Sequence, residues 1–226
     1  MQPDFWHERW RSGQIGFHQS SVDRNLMRHW PRLKLAPGTA VFVPLCGKSL
    51  DMLWLRERGH HVVGVEQSAI ALEAFCLENG IPARRREIDG FDVYEAPNIR
   101  LHRGDFFAFT RALLGSAAAV YDRAASISWT ADLRAPYVAH LAGLLRAGTH
   151  LLLIAMEYPQ AQMSGPPFSL DGEEVERLYS PYFEIRELAR DDILANEPRL
   201  RARGLTELAE VCYHLQRRDT QPTPPK

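Results

Sequence analysis

Residues 39–66 read TAVFVPLCGKSLDMLWLRERGHHVVGVE, and this segment sets the architecture of the chain. The apolar run Thr39–Leu45 predicts a short buried strand, and His61–Glu66 predicts a second one. Between them, Ser49–Arg58 has its apolar side chains at helical spacing and is followed by Gly59, which predicts a helix and its end. Strand, turn, helix and strand in this order form a βαβ unit, so the two strands are expected to be parallel.

The same alternation continues along the chain. Ser68 can cap a second helix, and a third is expected at about Leu133–Leu145. Five further strands are expected at Ile99–Arg103, Ala117–Asp122, His150–Met156, Phe183–Leu188 and Glu207–Gln216. The predicted fold class is therefore α/β: a doubly wound, mostly parallel seven-stranded Rossmann-like sheet with helices on both faces and an antiparallel edge strand.

The domain organisation follows from where this pattern begins and ends. Residues 1–35 are polar and aromatic with helical spacing, and they precede the first strand. We expect one domain over residues 1–218, with 1–35 as an N-terminal helical segment, and a disordered Pro-rich tail over 219–226.

Composition favours a small-molecule partner. The 226 residues contain 27 Lys and Arg against 28 Asp and Glu, a formal net charge of -1. Such a chain has no global field to hold nucleic acid or an anionic membrane, so neither is expected as a partner. The three cysteines lack the spacing of a zinc site or the even count of a disulfide scaffold, which favours reduced thiols in a cytoplasmic protein without a metal. We expect no signal peptide and no membrane span.

The turn after the first strand predicts a ligand site without phosphates. Its Gly-Lys-Ser ending, Gly47 to Ser49, is similar to a P-loop, but Phe42 stands where that motif needs a glycine. A dinucleotide fingerprint needs three glycines, and this turn has one. One glycine can suffice for a ligand carrying only a carboxylate and an ammonium. The alternative is a plain strand-to-helix turn.

Three further residues stand at expected strand ends. Glu66 ends the second strand about 20 residues beyond the turn, where a carboxylate can bind ribose hydroxyls; it could instead be a helix-start acid. Asp105, beside Phe106, could bind an adenine amino group, or could cap a helix next to a core phenylalanine. Arg123 could meet a carboxylate or an anionic substrate, or be a surface residue.

Several short motifs, taken together, resemble the thiopurine S-methyltransferase family, and most strongly its bacterial branch, which is associated with selenium and tellurium methylation. They keep the family's order from about residue 5 to 216. The motifs are WHERW (6–10), GFHQ (16–19), PLCGK (44–48), GH (59–60), VVGVE (62–66), YDR (121–123) and GPPF (165–168).

The resemblance implies a class I S-adenosylmethionine (AdoMet) fold in a monomer, with the N-terminal segment acting as a lid over the donor. The resemblance also implies roles for particular residues. Arg123 would lie nearest the acceptor and would be the catalytic residue. The implied donor-binding residues are Trp6, Trp10 and Phe17 in the lid, Leu45 and Gly47 at the methionine end, Glu66 at the ribose, Asp105 and Phe106 at the adenine, and Arg123.

The expected reaction is direct in-line transfer of the AdoMet methyl group to a thiol such as a thiopurine, with selenium and tellurium oxyanion species as further acceptors. Arg123 would favour the thiolate form. One alternative is a halide or small-thiol methyltransferase. Another is a non-catalytic AdoMet-binding protein, and a nicotinamide oxidoreductase is disfavoured by the single glycine.

Overall fold

The computed structural model describes residues 3–16 and 18–219. The helices are Pro3–Arg11 (α1), Arg24–His29 (α2), Asp51–Glu57 (α3), Ala69–Glu78 (α4), Arg111–Leu114 (α5), Ala131–Leu144 (α6), Gly172–Tyr179 (α7) and Pro198–Ala202 (α8). The strands are Ala40–Pro44 (β1), His61–Glu66 (β2), Arg84–Ile88 (β3), Phe91–Ala96 (β4), Ile99–Arg103 (β5), Ala117–Arg123 (β6), His150–Glu157 (β7), Phe183–Asp192 (β8) and Ala209–Arg217 (β9).

The chain divides into two compact units, Met1–Tyr121 and Asp122–Lys226. In the first unit the strand order is β3-β4-β5-β2-β1-β6. β2 and β6 pair with β1 on opposite sides, both in parallel, and β5 pairs in parallel with β2. The strand order therefore reverses at β1, which is the switch point where ligands bind in open α/β sheets.

The expected number of strands is wrong: the described residues contain nine strands, not seven. The two additional strands, β3 and β4, form an antiparallel hairpin that continues the sheet beyond β5. Its turn is Asp89-Gly90, with both residues at positive φ (49° and 80°). An Asp-Gly pair is a strong hairpin signal because a type I′ turn needs positive φ at both positions, so this hairpin was readable from the sequence.

The second unit ends in an antiparallel arrangement. β9 pairs with β7 on one side and with β8 on the other, antiparallel in both cases. A small core beside this sheet consists of Tyr158, Met163, Ile193, Leu200, Leu205 and Leu208. The expected antiparallel edge is therefore present as two late strands.

Local patterns located most elements well. β2 and β5 begin and end at the expected residues, and Ser68 caps α4 by accepting a hydrogen bond from the amide of Ala71. The single domain over 1–218 stays a prediction, and the expected tail lies outside the described residues apart from Asp219. None of the described helices is long and apolar enough to cross a membrane.

Candidate functional site

The turn after β1 has an unusual backbone. Leu45 and Gly47 both adopt positive φ, 45° and 52°. The amide of Cys46, between them, donates to the carbonyl of Val65 in β2 at 3.0 Å. A leucine at positive φ is costly, so the surroundings must hold this conformation. The conformation of the turn is therefore stabilised by contacts with the neighbouring strand.

Trp10, near the end of α1, packs on this turn. A Cβ placed on Gly47 would lie 3.3 Å from Cζ2 of the indole, so a side chain at this position would require the ring or the turn to shift by a few tenths of an ångström. Trp10 is buried, with 7% of its surface exposed. α1 also packs against α4, the helix that follows β2.

Glu66, at the end of β2, holds the turn through its carboxylate. Oε2 accepts a hydrogen bond from the amide of Gly47 at 2.9 Å, and Oε1 accepts one from the amide of Ser68 at 2.8 Å. The residue is 7% exposed. Burial raises the pKa of Glu66, and the hydrogen bonds from Ser68, Gly47 and Gln67 oppose that shift. Glu66 therefore ends β2, as predicted, and its carboxylate also accepts a hydrogen bond from Ser68 at the start of α4, which was the alternative interpretation.

Cys46 lies beside this carboxylate as a buried free thiol. Burial, and then the nearby charge of Glu66, raise the pKa of its thiol well above the ordinary value. A thiol that resists ionisation is a poor nucleophile and a poor metal ligand. The prediction of a reduced, structural cysteine agrees with this environment.

The end of β5 adjoins Glu66. The amide of Gly104 donates to the Glu66 carbonyl at 2.9 Å, which places Asp105 one residue away from that contact. Asp105 is exposed, and its carboxylate caps a 3-10 turn by accepting from the amide of Phe107 at 3.0 Å. Phe106 is buried. The cap that was one of the two expectations is therefore present, and the Asp105 carboxylate lies at the surface.

A buried carboxylate that the sequence analysis missed joins the N-terminal segment to α3. Asp51, the first residue of α3, is fully buried. It accepts hydrogen bonds from the amide of Asp23 at 2.8 Å, from Ser49 Oγ at 3.0 Å and from the Tyr121 hydroxyl at 3.1 Å. No local pattern marks Asp51 as buried, because two of its three partners, Asp23 and Tyr121, lie far away in sequence. It fixes the exit of the turn and the entrance of α2 together.

Lys48 completes the anchoring of the turn. Its ammonium lies 2.7 Å from Oε1 and 2.9 Å from Oε2 of Glu78, the last residue of α4. The Gly-Lys-Ser ending that is similar to a P-loop therefore uses its lysine for an internal ion pair. This contact agrees with the rejection of a phosphate site.

Two further residues, Trp6 and Phe17, were expected in the N-terminal lid. Trp6 is half-buried in α1, and its ring meets that of Phe5 edge to face at 5.3 Å between centroids. Phe17 lies outside the described residues, so its expected place over the donor stays a prediction.

The two neighbouring histidines at the start of β2 have different environments, and His60 is the buried one. Its side chain is buried, and its Nε2 accepts a hydrogen bond of 3.0 Å from Nε1 of Trp30. Burial lowers the pKa of His60, which keeps the ring neutral and able to accept. The neighbouring His61 is exposed. Within residues 3–16 and 18–219, no cluster of three or more His, Cys, Asp or Glu residues could hold a metal ion.

In the second unit, Arg123 is the last residue of β6 and is half-buried. It lies between two unusual residues. Asp122 is a fully buried carboxylate, and Ala124 adopts a φ of 90°. The carboxylate accepts hydrogen bonds from the amide of Ser126 at 3.1 Å and from the Tyr137 hydroxyl at 2.7 Å. The backbone around Arg123 is therefore held by specific contacts.

The GPPF loop, residues 165–168, is tied to this corner. The amide of Phe168 donates to the carbonyl of Ile127 at 2.8 Å, four residues after Arg123. The hydroxyl of Tyr158 donates to the carbonyl of Pro167 at 2.6 Å. The GPPF loop is therefore bonded to the segment that follows the YDR motif.

Comparison with known proteins shows the family of the chain. The family model described as thiopurine S-methyltransferase matches residues 1–218. The chain belongs to the thiopurine S-methyltransferase family. A thiopurine S-methyltransferase of Nitrosospira multiformis is 46% identical over 218 residues, covering 96% of this chain and 99% of that protein. One of Bordetella petrii is 45% identical over 217 residues, covering 96% and 99%.

Solved structures of methyltransferases share the fold. An AdoMet-dependent methyltransferase of Thiobacillus denitrificans, in complex with S-adenosyl-L-homocysteine, matches with a TM-score of 0.61 at 14% identity, over 93% of this chain and 98% of that one. This member of the thiopurine S-methyltransferase family is an AdoMet-dependent methyltransferase with the α/β fold and a mostly parallel central sheet. AdoMet is its cofactor.

Proposed function

We propose that this protein transfers the methyl group of AdoMet to the sulfur of aromatic or heterocyclic thiols such as thiopurines. The observation that carries the proposal is the buried carboxylate of Glu66 bonded to the amide of Gly47 at the switch point of the sheet. The names of the relatives supply the acceptor class, since they are thiopurine S-methyltransferases.

The residues around the turn fit the donor. The Glu66 carboxylate accepts backbone hydrogen bonds from Gly47, Gln67 and Ser68, and a carboxylate offers about four lone-pair sites, so it can still accept a ribose hydroxyl. Leu45 and Gly47 line the methionine end, and the single glycine of the turn suffices there because this end carries a carboxylate and an ammonium but no phosphate. Trp10 then covers that end from the side of α1.

Four other residues complete the proposed donor site. Asp105 carries an exposed carboxylate that binds the adenine amino group, and Phe106 is the apolar residue that follows it, as the family resemblance implies. Trp6 and Phe17 extend the cover, as the family resemblance implies. A cover of this kind excludes water, which strengthens the electrostatic interactions inside.

The donor supplies a methyl group on a positively charged sulfonium. The acceptor thiol first loses its proton to solvent, since aromatic and heterocyclic thiols ionise near neutral pH. The thiolate then forms a bond to the methyl carbon while the bond from that carbon to the sulfonium sulfur breaks, and two neutral thioethers result. In-line alignment of the two reactants is worth up to roughly 7–11 kcal/mol.

Arg123 favours the anionic acceptor. A guanidinium is charged at all working pH values and stabilises a nearby thiolate or an acidic substituent on the acceptor ring. The Asp122 carboxylate holds the backbone that follows Arg123 in a defined conformation, and the GPPF loop is bonded to the same corner. Arg123 therefore acts on the acceptor from a fixed position, and no general base is required.

The resemblance to the bacterial branch adds selenium and tellurium species as acceptors to be tested. The alternatives remain a halide or small-thiol methyltransferase and a non-catalytic AdoMet-binding protein. The monomeric state and the cytoplasmic location stay predictions.

The deciding experiment measures methyl transfer from labelled AdoMet to a panel of thiopurines, thiophenols, halides, selenite and tellurite. We expect methylated thiopurines and thiophenols. Methyl halide formation without thiol methylation would favour the halide enzyme, and donor binding without any product would favour the binding protein. Arg123→Met is expected to lower turnover of a thiol acceptor while AdoMet binding remains, and unchanged turnover would remove Arg123 from the reaction.

A further inference from the structure

A buried carboxylate in the second unit is not used by the proposed reaction. Asp122 is the residue before Arg123 and is fully buried. Its carboxylate receives hydrogen bonds from the backbone amides of Ala125 and Ser126, from Ser126 Oγ and from the hydroxyl of Tyr137. A buried carboxylate is tolerated when its lone pairs are satisfied in this way.

The donors enclose the corner that carries Arg123. The carboxylate belongs to residue 122, and its two backbone donors belong to residues 125 and 126. The bonds therefore close a ring across Arg123 and Ala124. Ala124 lies inside the ring at a φ of 90°, a region that residues with a Cβ rarely adopt. Such a conformation persists only where surrounding contacts impose it, and the Asp122 carboxylate supplies them.

Two tyrosines from neighbouring helices extend this hydrogen-bond network: Tyr137 contacts the carboxylate, and Tyr179 contacts Ser126. Tyr137 in α6 donates to Asp122 Oδ2 at 2.7 Å. The hydroxyl of Tyr179, the last residue of α7, lies 2.7 Å from Ser126 Oγ. Because the single Ser126 hydroxyl proton goes to Asp122, Tyr179 is the donor in this second contact. The network thus connects the corner to α6 and α7 through side chains that are all buried.

We propose that Asp122, Ser126, Tyr137 and Tyr179 form a positioning cluster that sets the conformation of the Arg123-Ala124 corner and thereby the reactivity of the bound acceptor. This inference rests on the proposed function, because the cluster acts on the acceptor through Arg123. None of the four residues needs to touch the donor or the acceptor. The cluster controls the placement of the guanidinium, and small misplacements of a charged group are costly in rate.

The experiment uses Tyr137→Phe and Ser126→Ala in the full chain. Each variant removes one donor from the carboxylate and leaves the charge and the packing largely intact, so both are expected to fold. Tyr213→Phe is the matched control, because Tyr213 is a buried tyrosine of β9 outside the cluster. Melting temperature, AdoMet dissociation constant, and kcat and KM for a thiophenol acceptor are measured for each variant, alone and combined with Arg123→Met.

A positioning role predicts a particular pattern. Tyr137→Phe and Ser126→Ala should lower kcat by about tenfold with little change in AdoMet affinity, whereas Tyr213→Phe should keep the wild-type kcat. In the Arg123→Met background the same changes should have almost no further effect, because residues that act through one group are not additive. A general loss of structure would instead reduce activity in both backgrounds equally.

The outcomes separate this inference from the proposed function. If Arg123→Met lowers turnover but the cluster variants do not, or if their losses multiply with that of Arg123→Met, the positioning role is wrong and the role of Arg123 stands. If Arg123→Met keeps wild-type turnover, the proposed role of Arg123 fails, and the inference fails with it.

Discussion

The backbone amide of Gly47 and Oε2 of Glu66 are joined by a hydrogen bond of 2.9 Å across 19 residues of sequence. This bond connects the turn after β1 to the end of β2, while Trp10 packs on the other side of the same glycine. Three segments that are distant in sequence therefore meet at one residue without a side chain. Substitutions at Gly47 and Glu66, each compared with a control elsewhere in the chain, should distinguish effects on AdoMet binding from effects on the stability of the fold.

Gly47→Ala should weaken AdoMet binding by at least about tenfold, since a Cβ would press on the indole of Trp10 at 3.3 Å and displace the turn. The positive φ of 52° adds a strain of roughly 1–2 kcal/mol to the folded state. Gly38→Ala is the control, because Gly38 also has a positive φ, 79°, but open space around its Cβ position. Calorimetric titration with AdoMet checks this, and equal affinities in the two variants would contradict the role of the turn.

Glu66→Gln should reduce AdoMet affinity by roughly 10- to 100-fold, because hydrogen bonds to a charged acceptor are worth about 1.5–3 kcal/mol. Since burial raises the pKa of Glu66, wild-type affinity should fall on acidification at a higher pH than for an ordinary glutamate. The affinity of Glu66→Gln for AdoMet should not show this fall on acidification. Glu73→Gln, at an exposed carboxylate of α4, should leave both the affinity and its pH profile unchanged.

The same residue makes a prediction about stability. The folded chain binds the Glu66 proton more tightly than the unfolded chain does, because its folded pKa is raised. The stabilisation that results from this tighter proton binding is fully present when the pH is below the pKa of Glu66 in the unfolded chain. It is lost as the pH rises through the pKa of Glu66 in the folded chain. The free energy of unfolding of wild type relative to Glu66→Gln should decrease as pH increases across that window, which urea titrations at several pH values measure. A difference that increases with pH would contradict the raised pKa.

Tyr158→Phe should affect the acceptor and not the donor. The Tyr158 hydroxyl donates to the Pro167 carbonyl inside the GPPF loop, and losing such a bond costs about 0.5–1.5 kcal/mol. We expect kcat/KM for a thiol acceptor to fall by up to about tenfold, with an unchanged AdoMet dissociation constant. Tyr94→Phe, whose hydroxyl contacts Glu73 in the first unit, is the control. A matching loss of donor affinity in Tyr158→Phe would show that the loop does not serve the acceptor alone.

His102 in β5 should make the fold sensitive to acid. Burial, the largest cause, lowers its pKa from 6.5 to about 4, while its Nδ1 contacts the carbonyl of Gly64 at 3.2 Å. A lowered histidine pKa contributes stability that is present above pH 6.5 and is lost as pH falls to about 4, up to about 3 kcal/mol.

The measurement compares His102→Gln with wild type by urea unfolding between pH 7 and pH 4. The stability advantage of wild type should shrink by up to about 3 kcal/mol over this range, since the glutamine does not titrate. His61→Gln, at an exposed position of β2, should follow wild type throughout. A constant difference between wild type and His102→Gln would mean that His102 is not buried in its neutral form.

The sequence by itself determined the elements that depend on local patterns. β2 and β5 occur at the expected residues, and Glu66 ends β2 as expected. Apolar runs and capping residues report local burial and helix starts, which need no knowledge of distant segments. The Asp89-Gly90 hairpin belongs to the same class, and it could have been found from that pair alone.

Only the tertiary structure decided which distant residues meet. Trp10 lies on Gly47, Asp51 binds the amide of Asp23, and His60 accepts from Trp30. Each contact joins segments that are brought together by the packing of whole helices and strands, and a polar residue becomes buried only when such a partner offsets its desolvation. A pattern within one segment cannot encode that partner, because the same residue is solvated in one packing and buried in another.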